Sequence, residues 1–156
     1  SRRDVAGRIG GAGGDRSAGM ILRLDHVAIA VPDLERAIRR LSDDLGLTFR
    51  GQEDVATQQT RTAFFPVSGT RIELVHPIDG QGPIAKFLEK RGGGMHHLCF
   101  ATDNIEADVA KLKERGWAFL TPAPTPGAHG SRVIFAHPRC NDGVLVELAE
   151  YPPESP

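Results

Sequence analysis

Between Leu24 and Val31 apolar positions alternate with small or polar ones. Val27, Ile29 and Val31 share one face, and His26, Ala28 and Ala30 the other. A period of two predicts a β-strand. The arrangement returns at His97–Ala101, where Leu98 and Phe100 oppose His97, Cys99 and Ala101. On both strands the histidine shares its face with small side chains only. Such a face cannot fill a core by itself and is suited to line a cavity, whereas the bulky face suits a packed helix. A helical period follows each strand at once. Leu34, Ala37, Ile38, Leu41 and Leu45 form one stripe, opened by Asp33 as N-cap after Pro32 and stopped at Gly46. Ile105, Val109 and Leu112 form the other, capped by Asp103 or Asn104 and ended by Gly116.

Three short strands are predicted after each helix. In the first half they are about Thr48–Glu53, Arg61–Val67 and Arg71–His76, with a turn at Ser68-Gly69 joining the last two. In the second half they are about Ala118–Thr121, Arg132–Ala136 and Val144–Glu150, the last two separated by the turn residues Arg139–Gly143. Each half is thus a βαβββ module, and the fold class is α+β. Pro83–Arg91 is predicted as a short linking helix that buries Ile84, Phe87 and Leu88, before Gly92-Gly93-Gly94 releases the chain. The organisation expected is one domain over 20–152: module one at 20–79, a linker helix within 80–93 and module two at 94–152. The Gly- and Arg-rich stretch 1–19 has no hydrophobic period and is expected to be a disordered tail, with Met20 as a candidate start. A transit-peptide remnant fits it less well, because Asp4, Asp15 and the glycines interrupt the basic pattern.

The two modules repeat in chemistry as well as in pattern. His26 returns as His97, 71 positions on, and Glu73 returns as Glu147, 74 positions on. Each glutamate lies in an apolar strand, Ile72-Glu73-Leu74 and Val146-Glu147-Leu148. A single such glutamate is more often solvent-facing, and a single such histidine is more often a satisfied core residue. Their repetition at matched positions favours an inward-facing set, and buried carboxylates then require a cation or strong donors. His26, Glu73, His97 and Glu147 are the candidate metal ligands. Two imidazoles, two carboxylates and open positions suit one divalent ion per chain; Co²⁺ stands first in the expectation, but residue types alone do not choose it over Mn²⁺, Ni²⁺, Zn²⁺ or Fe²⁺. His96 aligns with Asp25 in the repeat, and strand alternation predicts that it points away from His97.

Composition narrows the picture further. The net charge is −1 with acids and bases interspersed, so no footprint for nucleic acid is expected. No apolar run reaches the roughly 18 residues of a membrane span, and no membrane partner is expected. Two cysteines, Cys99 and Cys140, make no disulfide framework and suit a reduced, cytoplasmic setting. No P-loop, no GxGxxG after a strand and no Gly-x-Ser-x-Gly elbow is present.

From residue 22 to 150 the chain resembles the vicinal oxygen chelate superfamily (glyoxalases, bleomycin resistance proteins and dioxygenases). Asp25–Val31 and Met95–Phe100 carry its two histidine strands. A narrower resemblance, to the methylmalonyl-CoA epimerase family, rests on Thr70–Pro77, Pro83–Leu88, Gly93–His97, Gly127-Ala128-His129-Gly130 and Phe135–Pro138 leading to Gly143–Leu148. The resemblance implies two modules sharing one curved, cleft-bearing sheet. It also implies metal ligands at His26, Glu73, His97 and Glu147, an acyl-CoA substrate and a homodimer. The activity implied is interconversion of (2R)- and (2S)-methylmalonyl-CoA through a metal-stabilised enolate, with Glu147 and Glu73 as catalytic acid/base groups. Where some epimerases carry glutamine this chain has Glu73, and the glutamate some bacterial members carry on the preceding strand is absent from Thr60–Phe65. Lys86, Lys90, Arg91 and Arg132 are candidates for coenzyme A phosphates. The rival activities are a glyoxalase-type lactoylglutathione lyase, an extradiol dioxygenase and a non-catalytic drug-sequestering module.

Overall fold

The computed structural model describes residues 20–153. The predicted disordered tail at 1–19 lies outside the described residues. Eight strands and three α-helices follow one another as β1 (Ile21–Ala30), α1 (Leu34–Arg39), β2 (Gln52–Val55), β3 (Thr60–Val67), β4 (Thr70–Pro77), α2 (Pro83–Arg91), β5 (Gly94–Thr102), α3 (Ile105–Glu114), β6 (Thr125–Pro126), β7 (Arg132–Ala136) and β8 (Val146–Glu150). The strands form one mixed sheet in the order β2-β3-β4-β1-β5-β8-β7-β6. Each module therefore pairs its first strand in parallel with its last, β1 with β4 and β5 with β8. The modules join where β1 and β5 run antiparallel at the centre. The sheet curves until its ends approach: Thr57 Oγ1 donates to Pro126 O at 2.7 Å, and the His129 N–H donates to the Glu53 carboxylate at 3.2 Å.

The bulky strand faces bury against α1 and α3, as the alternation predicts. Leu34 and Ala37 of α1 pack on Ala63, Phe65 and Leu74, with Ile29, Val31 and Ile72 around them. Ile105 and Val109 of α3 pack on Ile134 and Leu148, with Phe100 and Phe119 alongside. The opposite face, floored by Ala28, Ala30 and Val75, is partly covered by Ile84, Phe87 and Leu88 of α2. The cleft is what remains of that face between α2 and the sheet ends.

Local signals behave as their physics dictates, with three departures. Asp33 and Asn104 are the N-caps, accepting from Arg36 N at 3.0 Å and Ala107 N at 3.1 Å. Ser68 and Gly69 both take positive φ, +43° and +85°, as a two-residue hairpin turn requires. The helix expected to continue through Leu45 is α-helical only to Arg39 and turns π-helical over Arg40–Asp44, which leaves Leu45 exposed. The strand expected at Thr48–Glu53 sits at Gln52–Val55. The strand expected at Ala118–Thr121 is reduced to one bridge, Phe119 with Ala136, flanked by Leu120 N–H to Phe135 O at 2.9 Å and His137 N–H to Ala118 O at 2.8 Å, and Pro122 directly after it stops the ladder from continuing.

Candidate metal centre

The register carries the repeat into three dimensions. Glu73 pairs beside Ala28 across β1 and β4, and Glu147 beside Cys99 across β5 and β8. Ala28 and Cys99 each lie two residues after their histidine, so the halves are equivalent. Across the central pair, His26 lies opposite Cys99 and Ala28 opposite His97. Both histidines and both glutamates thereby enter the same cleft, and none is more than 8 % exposed.

Three of the four converge on one point. His26 Nε2 lies 3.1 Å from His97 Nε2 and 3.1 Å from Glu147 Oε1, and His97 Nε2 lies 3.2 Å from the same oxygen. Ligands about 2.1 Å from a common ion and at right angles to one another lie about 3 Å apart, so this triangle matches a metal-ligand set. Glu147 Oε1 is buried and accepts no well-formed hydrogen bond among the described residues. Two imidazole nitrogens facing each other at 3.1 Å also need a proton or a cation between them. The fourth residue, Glu73, approaches from the other side. Its Oε2 lies 3.0 Å from His26 Nδ1 and accepts from Arg71 Nη2 at 2.8 Å.

Charge completes the case for a cation. Asp25, Glu73 and Glu147 place three buried carboxylates here against one guanidinium, Arg71, with Arg23 at the rim contacting Asp25 Oδ1 at 3.2 Å. A divalent ion would balance that excess. Without one, the His26 imidazole meets part of it. Burial alone would depress His26, but the hydrogen bond to Asp25, the contact with Glu147 and the charge of Glu73 outweigh it and raise its pKa to about 9. Burial would raise Glu147, yet the charge of His97 and the close approach of His26 hold it well below the usual carboxylate range. For Asp25 burial is likewise outweighed, by hydrogen bonds from His26 and Tyr151 and the charge of Arg71, and its pKa falls to about 2.

Four residues around the set carry roles that pattern alone did not reveal. Asp25, 1 % exposed, accepts on Oδ2 from His26 Nδ1 at 2.8 Å, Arg71 Nη2 at 2.9 Å and the Tyr151 hydroxyl at 2.7 Å. His96, expected to point away, turns towards His97 instead, Nδ1 to Nδ1 at 2.8 Å. Burial first, and then the neighbouring His97, lower its pKa to about 4. The available signal was the repeat itself, which places a titratable residue immediately before each histidine. His76 is engaged with the Val31 carbonyl at 2.8 Å, and His137 accepts from Arg139 N at 3.1 Å. His129 stacks on Phe64 outside the ligand triangle.

A cavity of about 30 Å³ lies over the triangle, enough for an ion or a water, bounded by Arg71, Tyr151 and Ser131. Beside it a larger pocket of about 260 Å³ is lined by His96, His97, Ile84, Leu120 and Phe135. The arrangement places an apolar slot against a charged, buried centre, suited to an acyl group carrying oxygens that seek a cation.

Comparison with known proteins agrees with this architecture. The profile of the Glyoxalase/Bleomycin resistance protein/Dioxygenase superfamily matches residues 25–135. The ethylmalonyl-CoA/methylmalonyl-CoA epimerase of Cereibacter sphaeroides is 44% identical over 133 residues, which are 84% of this chain and 99% of that protein. The crystal structure of methylmalonyl-CoA epimerase from Mycobacterium tuberculosis matches with a TM-score of 0.81 and 37% identity, covering 85% of this chain and 90% of that one. A methylmalonyl-CoA epimerase solved with methylmalonyl-CoA and NH4+ matches with a TM-score of 0.82 and 30% identity, covering 88% of this chain and 100% of that one. With identity and coverage at this level, the chain belongs to the glyoxalase/bleomycin resistance protein/dioxygenase superfamily and, within it, to the methylmalonyl-CoA epimerases, which are isomerases.

Proposed function

We propose that this chain interconverts (2R)- and (2S)-methylmalonyl-CoA by removing and returning the C2 proton, with His26, His97 and Glu147 holding one divalent ion and Glu73 able to join them. The observation that supports the metal reading most directly is the orphaned Glu147 Oε1 facing two Nε2 atoms. When bound, the ion would supply Lewis-acid stabilisation to the oxygens that gain charge as C2 is deprotonated. The C2 proton lies between a thioester carbonyl and a carboxylate, and inversion needs one group to take it from one face and another to return it to the opposite face. Glu147 from module two and Glu73 from module one are those two groups. The charge of His97 beside it keeps Glu147 in the ionised form that a base requires. Arg71, in contact with Glu73 at 2.8 Å, steadies the charge as that carboxylate gives up or takes a proton. The apolar pocket beside His97 accepts the acyl chain and excludes water from the enolate.

The acyl-CoA substrate brings its phosphates to the protein surface. Lys86, Lys90 and Arg91 lie on α2, whose Pro83 and Ile84 form one wall of that pocket. Arg132 is already paired with Glu106 and Glu150. A cytoplasmic location belongs to the same reading, supported by the free thiols of Cys99 and Cys140, which suit a reducing compartment. A homodimer belongs to it too, supported by the exposed apolar side chains of Ile21, Leu22 and Met95. The mixed nitrogen and oxygen donor set accepts Co²⁺, placed first here, as it accepts Mn²⁺, Ni²⁺, Zn²⁺ and Fe²⁺.

The decisive experiment incubates metal-loaded protein with methylmalonyl-CoA in D₂O. Deuterium should enter C2 and the two epimers should equilibrate, and Glu147→Gln should remove both activities. No exchange at C2, together with turnover of a glutathione hemithioacetal, would overturn the proposal in favour of a lyase.

A further inference from the structure

The residues that precede the two metal-site histidines share an unusual position. In the β1–β5 ladder Leu24 pairs with Phe100 and His26 with Cys99, so Asp25 is an extra residue bulged out of β1. Further along, Ala28 pairs with His97 and Ile29 with Met95, so His96 is an extra residue bulged out of β5. Asp25 and His96 are also equivalent in the repeat. A bulge breaks the alternation of a strand and re-aims the side chain it carries. Both side chains are re-aimed onto the ring of the next residue: Asp25 Oδ2 lies 2.8 Å from His26 Nδ1, and His96 Nδ1 lies 2.8 Å from His97 Nδ1.

We infer that Asp25 and His96 are paired positioning residues, each accepting the Nδ1–H of the histidine that follows it so that Nε2 is left facing the ion. The inference rests on the metal-centre reading above and extends it to how the ligands are held. An imidazole has two nitrogens, and the one that binds metal is set by the hydrogen bond the other makes. The Nε2 atoms of His26 and His97 are the ones 3.1 Å apart at the triangle, and the Nδ1 atoms are the ones held from behind. For His97 Nδ1–H to donate, His96 must present a bare Nδ1 and carry its own proton on Nε2.

Each positioning residue is itself fixed, by different means. Asp25 Oδ2 is gripped by Arg71 and Tyr151, which also contact each other at 2.9 Å. His96 packs edge-to-face on Phe87 of α2, with ring centroids 5.0 Å apart. The charged acceptor is therefore locked by charge, and the neutral one by packing. Glu73 also reaches His26 Nδ1, at 3.0 Å, but its Oε2 is shared with Arg71. If Glu73 turns towards an ion, Asp25 remains as the acceptor for that ring nitrogen.

The test uses the full chain, labelled with ¹⁵N at histidine and loaded with Zn²⁺ as a diamagnetic probe. Long-range ¹H–¹⁵N correlation reads where each ring carries its proton. His26 and His97 should be protonated at Nδ1 and His96 at Nε2. Competition against a chelator should show Zn²⁺ binding weakened about 10–100-fold by Asp25→Ala and by His96→Ala. Asp25→Asn should retain most of the affinity, because an amide oxygen still accepts. If Asp25→Ala does not fold, the wild-type spectrum and His96→Ala still decide the question. A Zn²⁺-loaded His26 or His97 protonated at Nε2, or wild-type affinity in both alanine variants, overturns this inference and leaves the metal centre standing. A wild-type protein that takes up no divalent ion overturns both.

Discussion

Glu73 and Glu147 address opposite nitrogens of one imidazole: Glu73 Oε2 lies 3.0 Å from His26 Nδ1, and Glu147 Oε1 lies 3.1 Å from His26 Nε2. Their backbones are equivalent, each two ladder positions along from its own module's histidine, but their surroundings differ. Arg71 stands beside Glu73 and has no counterpart beside Glu147, whose Oε1 is left to the two Nε2 atoms. One carboxylate is thus charge-compensated by the protein and the other is left for a cation. A symmetric duplication has become an asymmetric pair, which a reaction with two non-identical proton transfers can use.

The purified protein should hold about one divalent ion per chain, because the two modules together make one ligand triangle. His26→Ala and His97→Ala should each empty it, as measured by elemental analysis after gel filtration. Retention of a full equivalent in both variants would place the ion elsewhere.

Glu73→Gln should separate ligation from proton transfer. The triangle of His26, His97 and Glu147 remains intact, so the ion should be kept. Loss of a general acid/base group should lower kcat by about 10²–10⁴-fold with KM little changed. Steady-state kinetics on metal-verified protein would show it, and near-normal kcat would remove Glu73 from the proton path.

In the metal-free protein, stability should fall on both sides of a maximum just below neutrality. Folding lowers Asp25 from 3.8 to about 2 and Glu147 from 4.5 to well below its usual range. Those contributions are present above the unfolded values and are lost as the pH drops through the folded ones. Folding raises His26 from 6.5 to about 9, so its contribution is complete below 6.5 and is lost as the pH rises through 9. Folding lowers His96 from 6.5 to about 4, which costs stability as the pH falls below 6.5, so melting temperatures of chelator-treated protein should be highest at about pH 6.5. A flat profile between neutrality and about pH 9.5 would show that His26 gains no proton affinity on folding.

The helix-packed cores should be sensitive to truncation independently of the metal. Phe65→Ala in module one should cost about 3–5 kcal/mol and Ile105→Ala in module two about 2–5 kcal/mol, since both side chains are fully buried. Denaturant unfolding would measure both losses, and a loss under 1 kcal/mol at either site would mean that the core there collapses to fill the void.

Much of this architecture was legible in the chain because it is written twice. The alternation around His26 and His97, the caps at Asp33 and Asn104, and the Ser68-Gly69 turn are local signals with local causes. The pairing of Glu73 and Glu147 with their histidines followed from the matched order of the two modules. What escaped was whatever departs from ideal periodicity. His96 and Asp25 sit at bulges, so the rule that neighbours on a strand face opposite ways misplaces both. Tyr151 comes from beyond the last strand, 126 residues from Asp25, and no sequence period connects them. Arg71 is two residues from Glu73 and shares its face, yet nothing in the pattern separates a buried clamp from an ordinary surface cation.

The antiparallel contact of β1 with β5 gives the ion a mechanical role. The ligand triangle takes one histidine from each side of that seam, so an ion held there acts as a rivet between the modules. Separating the halves and releasing the ion become a single event. At a free ion concentration 100 times the Kd this would add about 2.7 kcal/mol to the folded state. A chain that gathers its metal would therefore outlast one that has lost it, and proteolytic clearance would fall selectively on the molecules unable to work.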